Sequence, residues 1–287
     1  MNTLLDIRQS SQYAEFMRRI GWQVENAAGV NIFIRQLPLI GSLIKVQRPS
    51  WPIPFEQIEA VARKYRAHFV KIEPNIPSTS DQSPMINDYR PDSWPLLPTK
   101  TVWINLQRPP EDIVAAMDKD TRYAIRSAQK NAVTIVQSND IAAFVKGWER
   151  NAHDRGFWVP FSKELRLLWE SFGSQAIVLL AHTPRNSDPV AGALILHNST
   201  TASYLHAFST PIGRHLSAPS LIIDAATELS KKLGCAVLDL EGIYDPRFHQ
   251  ATKKWHGFTH FKMGFGGEVV SYPAPIIHKR SLLGKLF

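Results

Sequence analysis

The residues of this sequence that could do chemistry are mostly basic, and they stand in separate segments. Lys262 follows Phe261 near the end of the chain, Arg155 stands between Asp154 and Gly156, and Arg214 precedes a helical pattern. A fixed ammonium or guanidinium group can hold a phosphate or stabilise a negatively charged oxygen. These residue types therefore favour chemistry on an anionic substrate or on an oxyanion.

Several other kinds of site are not expected. The sequence has no Gly-x-Ser-x-Gly elbow, no His-Glu-x-x-His pair and no Cys-x-x-Cys, so we predict neither a covalent serine intermediate nor a metal site, and no cofactor. Cys235, the single cysteine, lies between a helical and an apolar pattern and reads as a small buried residue. The glycines at 264, 266 and 267 predict a turn or bulge rather than a phosphate loop.

The charge of the chain indicates an anionic partner. The 287 residues carry a net charge of +8, which suits nucleic acid, a phosphorylated substrate or a membrane surface. Residues 251–287 contain six basic side chains and a single acidic one, Glu268. No signal peptide and no apolar run of about 20 residues is present, so we expect a cytoplasmic protein.

Hydrophobic periodicity predicts an α/β order of elements. In the first half we expect helices at 11–20 and 55–65 and strands at 31–36, 42–47 and 68–73, followed by a long loop over 76–100. A strand at 101–106 then leads to helices at 111–131, 141–152 and 162–172. The second half predicts strands at 176–182, 190–198 and 202–209, a turn at 186–189, a loop at 210–217, a helix at 218–233 and a strand at 236–241.

The order strand–strand–loop–helix–strand occurs twice in this prediction, which indicates a structural duplication. It resembles the core order of the GNAT acyltransferase fold. In GNAT enzymes the loop before the helix is rich in glycine and its N–H groups cradle the pyrophosphate of acyl-CoA. Here that loop runs from Gly213 to Pro219 without a second glycine, and Pro219 lacks a donor. We therefore do not expect acyl-CoA binding.

A duplicated GNAT-like unit with a degraded loop resembles the FemABX aminoacyltransferases, which build peptidoglycan cross-bridges from aminoacyl-tRNA. The resemblance extends over nearly the whole chain, and the order and spacing of its motifs carry it. These motifs are Ser11–Phe16 with Gly21-Trp22, Ile72-Glu73-Pro74-Asn75, Trp103–Leu106, Arg122–Arg126, Asp239–Ile243 and Phe261–Gly267.

The resemblance implies a fold, a division of the chain and a reaction. It implies two GNAT-like lobes with mixed, mostly antiparallel sheets flanked by helices: residues 1–108, joined by 269–287, and residues 109–268 with the active site. The implied reaction moves an amino acid from aminoacyl-tRNA to an amine of a UDP-linked or lipid-linked muropeptide, in a monomer. The basic tail, with Leu282, Leu283, Leu286 and Phe287, would contact tRNA or, peripherally, a membrane.

The resemblance also implies roles for particular residues. Lys262 would stabilise the tetrahedral intermediate or the leaving 3′ oxygen, Phe261 would shape the acceptor channel, and Arg155 would hold the diphosphate of the precursor. Arg214 and Arg48 are further phosphate candidates. Tyr204 would line the acceptor site, although His206 stands where the family pattern leads us to expect a tyrosine.

Two other functions remain open at this point. A GNAT-like N-acyltransferase could use another acyl donor, such as acyl-CoA or an acyl carrier, but the altered loop over 213–219 disfavours it. A non-catalytic RNA-binding protein would explain the basic surface, but it would leave the Phe261-Lys262 pair without a role, and no RRM or KH signature is present.

Overall fold

The computed structural model describes residues 5–75, 88–154 and 162–281. By backbone contacts the chain divides into two compact units: residues 1–101, 242–256 and 270–287 form the first, and residues 102–241 and 257–269 form the second. Each is a mixed sheet flanked by helices, so the predicted α/β class is confirmed.

The first unit is built on a six-stranded sheet of order β1-β2-β3-β4-β13-β5. Its strands are β1 Gln23–Ala27, β2 Val30–Leu37, β3 Gly41–Gln47, β4 Ala67–Glu73, β5 Arg90–Pro91 and β13 Ile276–Lys279, and its main helices are α1 Ser11–Arg19 and α2 Phe55–Lys64. β2 and β3 are antiparallel, whereas β3 and β4 are parallel. Because a parallel pair needs a crossover, α2 lies between them in the chain.

The core of the first unit comes from the alternation of apolar residues in these strands. Ile32 and Ile34 of β2, Ile44 of β3 and Ile72 of β4 are fully buried and belong to one cluster with Ile58 of α2. Each such side chain contributes roughly 1.5–3 kcal/mol when it leaves water. This burial fixes the register, because a slip by one residue would turn the apolar face to solvent.

The second sheet has seven strands in the order β12-β6-β11-β10-β9-β8-β7. These are β6 Lys100–Asn105, β7 Thr134–Ser138, β8 Ala176–Thr183, β9 Asn186–His197, β10 Thr201–Ser209, β11 Val237–Gly242 and β12 Glu268–Ser271. The helices of this unit are α3 Pro110–Ala116, α4 Lys119–Lys130, α5 Ile141–Asp154, α6 Ser162–Phe172, α7 Pro211–His215, α8 Ala218–Lys232 and α10 His256–Met263, whereas α9 His249–Thr252 belongs to the first unit. β9 and β10 are antiparallel and β10 and β11 are parallel, so the predicted order recurs here.

Three local predictions were wrong. The helix expected over 111–131 is two helices, because Met117 and Asp118 are extended and the Asp118 N–H donates to the Gly264 carbonyl at 2.8 Å. The turn expected at 186–189 lies earlier, since β9 already begins at Asn186. The loop expected over 210–217 contains α7, whose first turn is capped by the Thr210 side chain.

Candidate functional site

The two parallel strands at the centre of the second unit separate part-way along their length. β10 and β11 pair from Thr201↔Val237 to Ser203↔Asp239. Beyond this point the register of β10 against β9 shifts between Tyr204 and His206, so one residue of β10 bulges. A bulge of this kind commonly re-aims side chains beside a functional site. The carboxyl end of β11, after Asp239, therefore extends beyond its pairing with β10.

Two acidic residues lie near the carboxyl end of β11. Asp239 and Glu241 are both buried, and the charges of both act on Lys262. Glu241 has φ +59, in the left-handed region. The Asp239 carboxylate holds this conformation, because its Oδ1 accepts the Glu241 N–H at 2.6 Å. A strained non-glycine residue of this kind is a feature of binding and catalytic sites.

Lys262 reaches this strand from α10. Its Nζ donates to the Glu241 carbonyl at 3.3 Å and lies 4.9 Å from the centre of the Phe258 ring. Burial lowers the pKa of Lys262 to about 8, although the charges of Glu241 and Asp239 act in the opposite direction. An amine whose pKa is this close to neutrality changes its charge within the physiological range, which is typical of functional lysines.

The turn after α10 holds Lys262 in position. Gly266 has φ +71, and a Cβ atom there would lie 2.0 Å from the Ala116 carbonyl oxygen. Gly264 is packed just as closely, because a Cβ atom there would lie 2.5 Å from the Thr121 hydroxyl oxygen. These glycines let α10 end against α3 and α4, and they form a turn, as the sequence predicts.

Two of the other predicted site residues contact groups four or five residues away in the chain. Phe261 turns its ring edge-on to the buried Phe265, at 5.4 Å between centroids. Arg214 is on α7 and donates to the carbonyl and hydroxyl oxygens of Ser209. Arg155 lies outside the described residues.

Tyr204 lies on the opposite face of the sheet from Asp239. The register pairs Ser203 with Asp239, so these two residues share a face and Tyr204, the next residue, points to the other one. Burial raises the pKa of the Tyr204 phenol. The bulge after Tyr204 reverses the alternation and returns His206 to the face of Asp239, where its ring meets the edge of Trp148 at 6.2 Å.

Arg48 is structural in the first unit, so its role as a phosphate ligand is not supported. Only 3% of the residue is exposed. Its guanidinium donates to the carbonyls of Pro74 and Pro98 and stacks 3.6 Å from the centre of the Tyr272 ring. These contacts join three separate segments of the first unit.

Sequence reasoning missed four residues around this site. Asp239 and Glu241 had a signal, because two acids alternate within an otherwise apolar strand. Phe258 also had one, because on a helix it lies four residues before Lys262 and shares its face. His206 was noted only as the position of an expected tyrosine, since the bulge that turns it cannot be seen in the sequence.

The loop that would bind the pyrophosphate of acyl-CoA already uses its N–H groups in hydrogen bonds within the protein. The N–H groups of Gly213, Leu216 and Ser217 donate to Thr210 Oγ1, the Ile212 carbonyl and the Arg214 carbonyl. A Cβ atom at Gly213 would lie 2.2 Å from the Val190 carbonyl oxygen, so this turn packs tightly on β9. No cradle of free amides is present at these positions.

The described residues contain neither a metal-binding cluster nor a helix that could span a membrane. Residues 5–75, 88–154 and 162–281 contain no cluster of three His, Cys, Asp or Glu side chains that could hold a metal ion. Within the same ranges, every helix is too short or too polar to cross a bilayer.

Comparisons with known proteins show which family model and which solved structures resemble this chain. The model of the FemAB family matches residues 179–276, a range that contains β10, β11 and Lys262. A search of curated proteins finds no match.

Solved structures share the fold across the whole chain. The crystal structure of FemX superposes with a TM-score of 0.83 at 12% identity, covering 98% of this chain and 94% of that one. The C-terminal DUF2156 domain of a protein from Agrobacterium fabrum, described as a lysylphosphatidylglycerol synthetase, gives 0.64 at 14% identity, covering 98% and 91%. L-PGS from Bacillus licheniformis gives 0.58 at 11% identity, covering 94% and 88%.

Proposed function

We propose that this chain is an aminoacyltransferase of peptidoglycan cross-bridge formation. The premise of the proposal is that the FemAB match and the FemX-like fold support membership in the FemABX family. The proposed donor is aminoacyl-tRNA. The proposed acceptor is an amine on the stem peptide of a UDP-linked or lipid-linked precursor. The observation that carries the proposal is the position of the Lys262 amine, which donates to the Glu241 carbonyl at 3.3 Å near the carboxyl end of β11.

Aminoacyl transfer suits a site with one poised cation. The ester of aminoacyl-tRNA is already activated, so the enzyme must place a neutral amine against the carbonyl carbon and stabilise the oxyanion that forms. The Lys262 ammonium would supply this charge, or the proton that the leaving 3′ oxygen takes up. Because this side chain is only partly exposed, its charge acts more strongly than it would on the open surface.

The two acidic residues fit the other substrate. An amine acceptor approaches as an ammonium ion and must give a proton to a base before it attacks. We propose that Asp239 and Glu241, the two buried carboxylates of β11 whose charges act on Lys262, attract this ammonium and that one of them accepts its proton. The same negative charge supports the protonated form of Lys262, so the donor side and the acceptor side of the reaction are electrostatically coupled.

An acyl-CoA-dependent reaction is disfavoured by the hydrogen bonds of the 210–217 turn. Its amides would have to break existing bonds to hold a pyrophosphate. We expect no heat of acetyl-CoA binding in titration calorimetry. Saturable binding with transfer of the acetyl group would support the N-acyltransferase alternative instead.

The test of the proposed function is a transfer assay. Purified protein is mixed with radiolabelled aminoacyl-tRNAs and either a UDP-linked or a lipid-linked muropeptide, and label in the muropeptide is counted. We expect transfer to at least one acceptor, and a loss of at least about tenfold in Lys262→Ala, since tenfold corresponds to about 1.4 kcal/mol of transition-state stabilisation.

Lys232→Ala is the matched control. Lys232 is exposed on α8 and pairs with Glu228 one helical turn away, so its loss removes the same charge without touching β11 or the basic tail. Equal losses in the two variants would indicate a general electrostatic effect. Tight tRNA binding without transfer to either acceptor would favour the RNA-binding alternative, and absence of tRNA binding would contradict the proposed donor.

A further inference from the structure

The turn between β2 and β3 in the first unit presents bare aliphatic side chains to solvent. Leu39 has a relative exposure of 106% and Ile40 one of 54%. Leu39 also has φ +67, in the left-handed region that favours asparagine or glycine over leucine. Neither packing in the core nor the backbone conformation explains a leucine at this position, so we look for its role in binding a partner outside the chain.

Exposed arginines surround this turn. The Ser42 N–H donates to the Arg66 carbonyl at 3.3 Å, and Gly41 packs against the same carbonyl. Arg66 follows α2, in whose last turn Arg63 lies. Arg35, on β2, donates from Nη1 to the carbonyl of Gly21 just beyond the end of α1. We call Leu39, Ile40, Arg35, Arg63 and Arg66 the hairpin surface.

The negative ends of α1 and α2 do not explain this surface by themselves. Basic side chains near a helix C-terminus stabilise its dipole, which accounts for an arginine such as Arg63. It does not account for Leu39 and Ile40. Apolar side chains ringed by arginines are the combination that binds an anionic bilayer, where the aliphatic groups enter the headgroup boundary and the cations meet lipid phosphates.

Nucleic acid suits the hairpin surface less well. Proteins that bind single strands stack bases on aromatic rings, and the phosphate backbone is held by cations alone. At this turn the exposed apolar groups are aliphatic. An aliphatic tip would be left in water on a nucleic acid, whereas a bilayer would cover it.

The last described residue of the chain lies at the same end of the sheet. β13 is antiparallel to β4, with Lys279 opposite Phe69. His68 Nδ1 is 2.7 Å from Ser281 Oγ, while His68 Nε2 would lie 3.1 Å from a Cβ atom at Gly41. The residues that follow Ser281 in the sequence, 282–287, are apolar apart from Lys285 and Gly284. They lie outside the described residues.

We propose that the hairpin surface docks the first unit onto an anionic lipid bilayer. Leu39 and Ile40 enter the headgroup region, and Arg63 and Arg66 contact the phosphates. This proposal does not depend on the transfer reaction, and binding to vesicles is measured without either substrate.

The experiment is co-sedimentation of the full chain with vesicles of phosphatidylcholine alone, or of phosphatidylcholine mixed with phosphatidylglycerol. We expect binding to the mixed vesicles only, weakened by added salt. The double variant Leu39→Asn/Ile40→Ser should bind at least about tenfold more weakly, because it removes two aliphatic side chains from the interface. Arg63→Gln should cost roughly fivefold, the effect of one cation near an anionic surface.

The variants are chosen so that folding does not confuse the result. Asparagine is favoured at φ +67, so the melting temperature of Leu39→Asn/Ile40→Ser should be no lower than that of the wild type. Leu233→Ser, which removes a half-exposed leucine from the second unit, is the control and should bind vesicles normally. Unchanged vesicle binding by the hairpin variant would overturn the proposal, as would wild-type protein that ignores the mixed vesicles or a hairpin variant that loses tRNA affinity instead.

Discussion

The protonation of Lys262 gives the most direct test of the proposed chemistry. Its amine is buried against the Glu241 carbonyl, and its pKa is lowered to about 8. If the ammonium form is the working form, transfer must fall as the pH rises through 8. The acceptor amine behaves in the opposite way, because it must be neutral to attack. A pH profile of the wild type alone would mix the two ionisations.

The substitution Lys262→Arg separates them. A guanidinium stays charged throughout this range, and both enzymes use the same acceptor, so the acceptor's ionisation cancels in the ratio of wild-type to variant rates. A single group with a pKa near 8 is about 90% protonated at pH 7 and about 10% at pH 9. The ratio should therefore fall roughly tenfold between these pH values.

The rates are measured as label transfer under single-turnover conditions, so that release of products does not limit them. A ratio that stays flat from pH 7 to 9 would mean that Lys262 titrates outside this range or takes no part in the reaction. A rising ratio would mean that the neutral amine acts as a base. NMR of ¹³C-methylated lysines gives an independent readout, since the resonance lost in Lys262→Arg should titrate near 8 rather than near 10.5.

Three further predictions concern stability and electrostatic coupling. Burial raises the pKa of Asp224 to about 6, so ionisation of this carboxyl destabilises the folded state as the pH rises from about 4 through 6. In denaturant titrations, Asp224→Asn should therefore raise the free energy of unfolding at pH 7.5 by on the order of 1–2 kcal/mol and should give no gain below pH 4. Glu241→Gln removes a charge that raises the pKa of Lys262, so the lysine resonance should titrate at lower pH than in the wild type. Gly266→Ala should lower the melting temperature by several degrees, a loss of roughly 2 kcal/mol or more, whereas Gly257→Ala, where a Cβ atom meets nothing within 4 Å, should leave it unchanged.

Most of the fold could be predicted because its strands are apolar and its helices are amphipathic. α6 begins and ends where the sequence predicts, at Ser162 and Phe172. β1 and β7 were missed because both are edge strands of mixed polarity, partly exposed on both faces. Strands of this kind are stabilised mainly by pairing with a neighbouring strand. The periodicity of a single segment carries no information about such pairing.

The site could be predicted only in part, because hydrophobic periodicity did not predict a helix in the segment around Lys262. The resemblance selected Lys262 with Phe261, its neighbour in the chain, which would shape the acceptor channel. On α10 successive residues point about 100° apart, so the Phe261 ring packs on Phe265 and the Phe258 ring lies next to the Lys262 ammonium. The contact between Phe258 and Lys262 therefore depends on helical geometry that the resemblance did not supply.

The duplication explains why one lobe would carry the chemistry. In the first unit the parallel strands β3 and β4 stay paired from Ser42↔Ala67 to Gln47↔Glu73, so their backbone groups satisfy one another along the full length. In the second unit the equivalent pair separates after Ser203↔Asp239. Beyond that point the Glu241 carbonyl accepts a hydrogen bond from the Lys262 amine at 3.3 Å. The same strand order is therefore paired along its whole length in one unit and only in part in the other, and Lys262 contacts β11 beyond its last residue paired with β10.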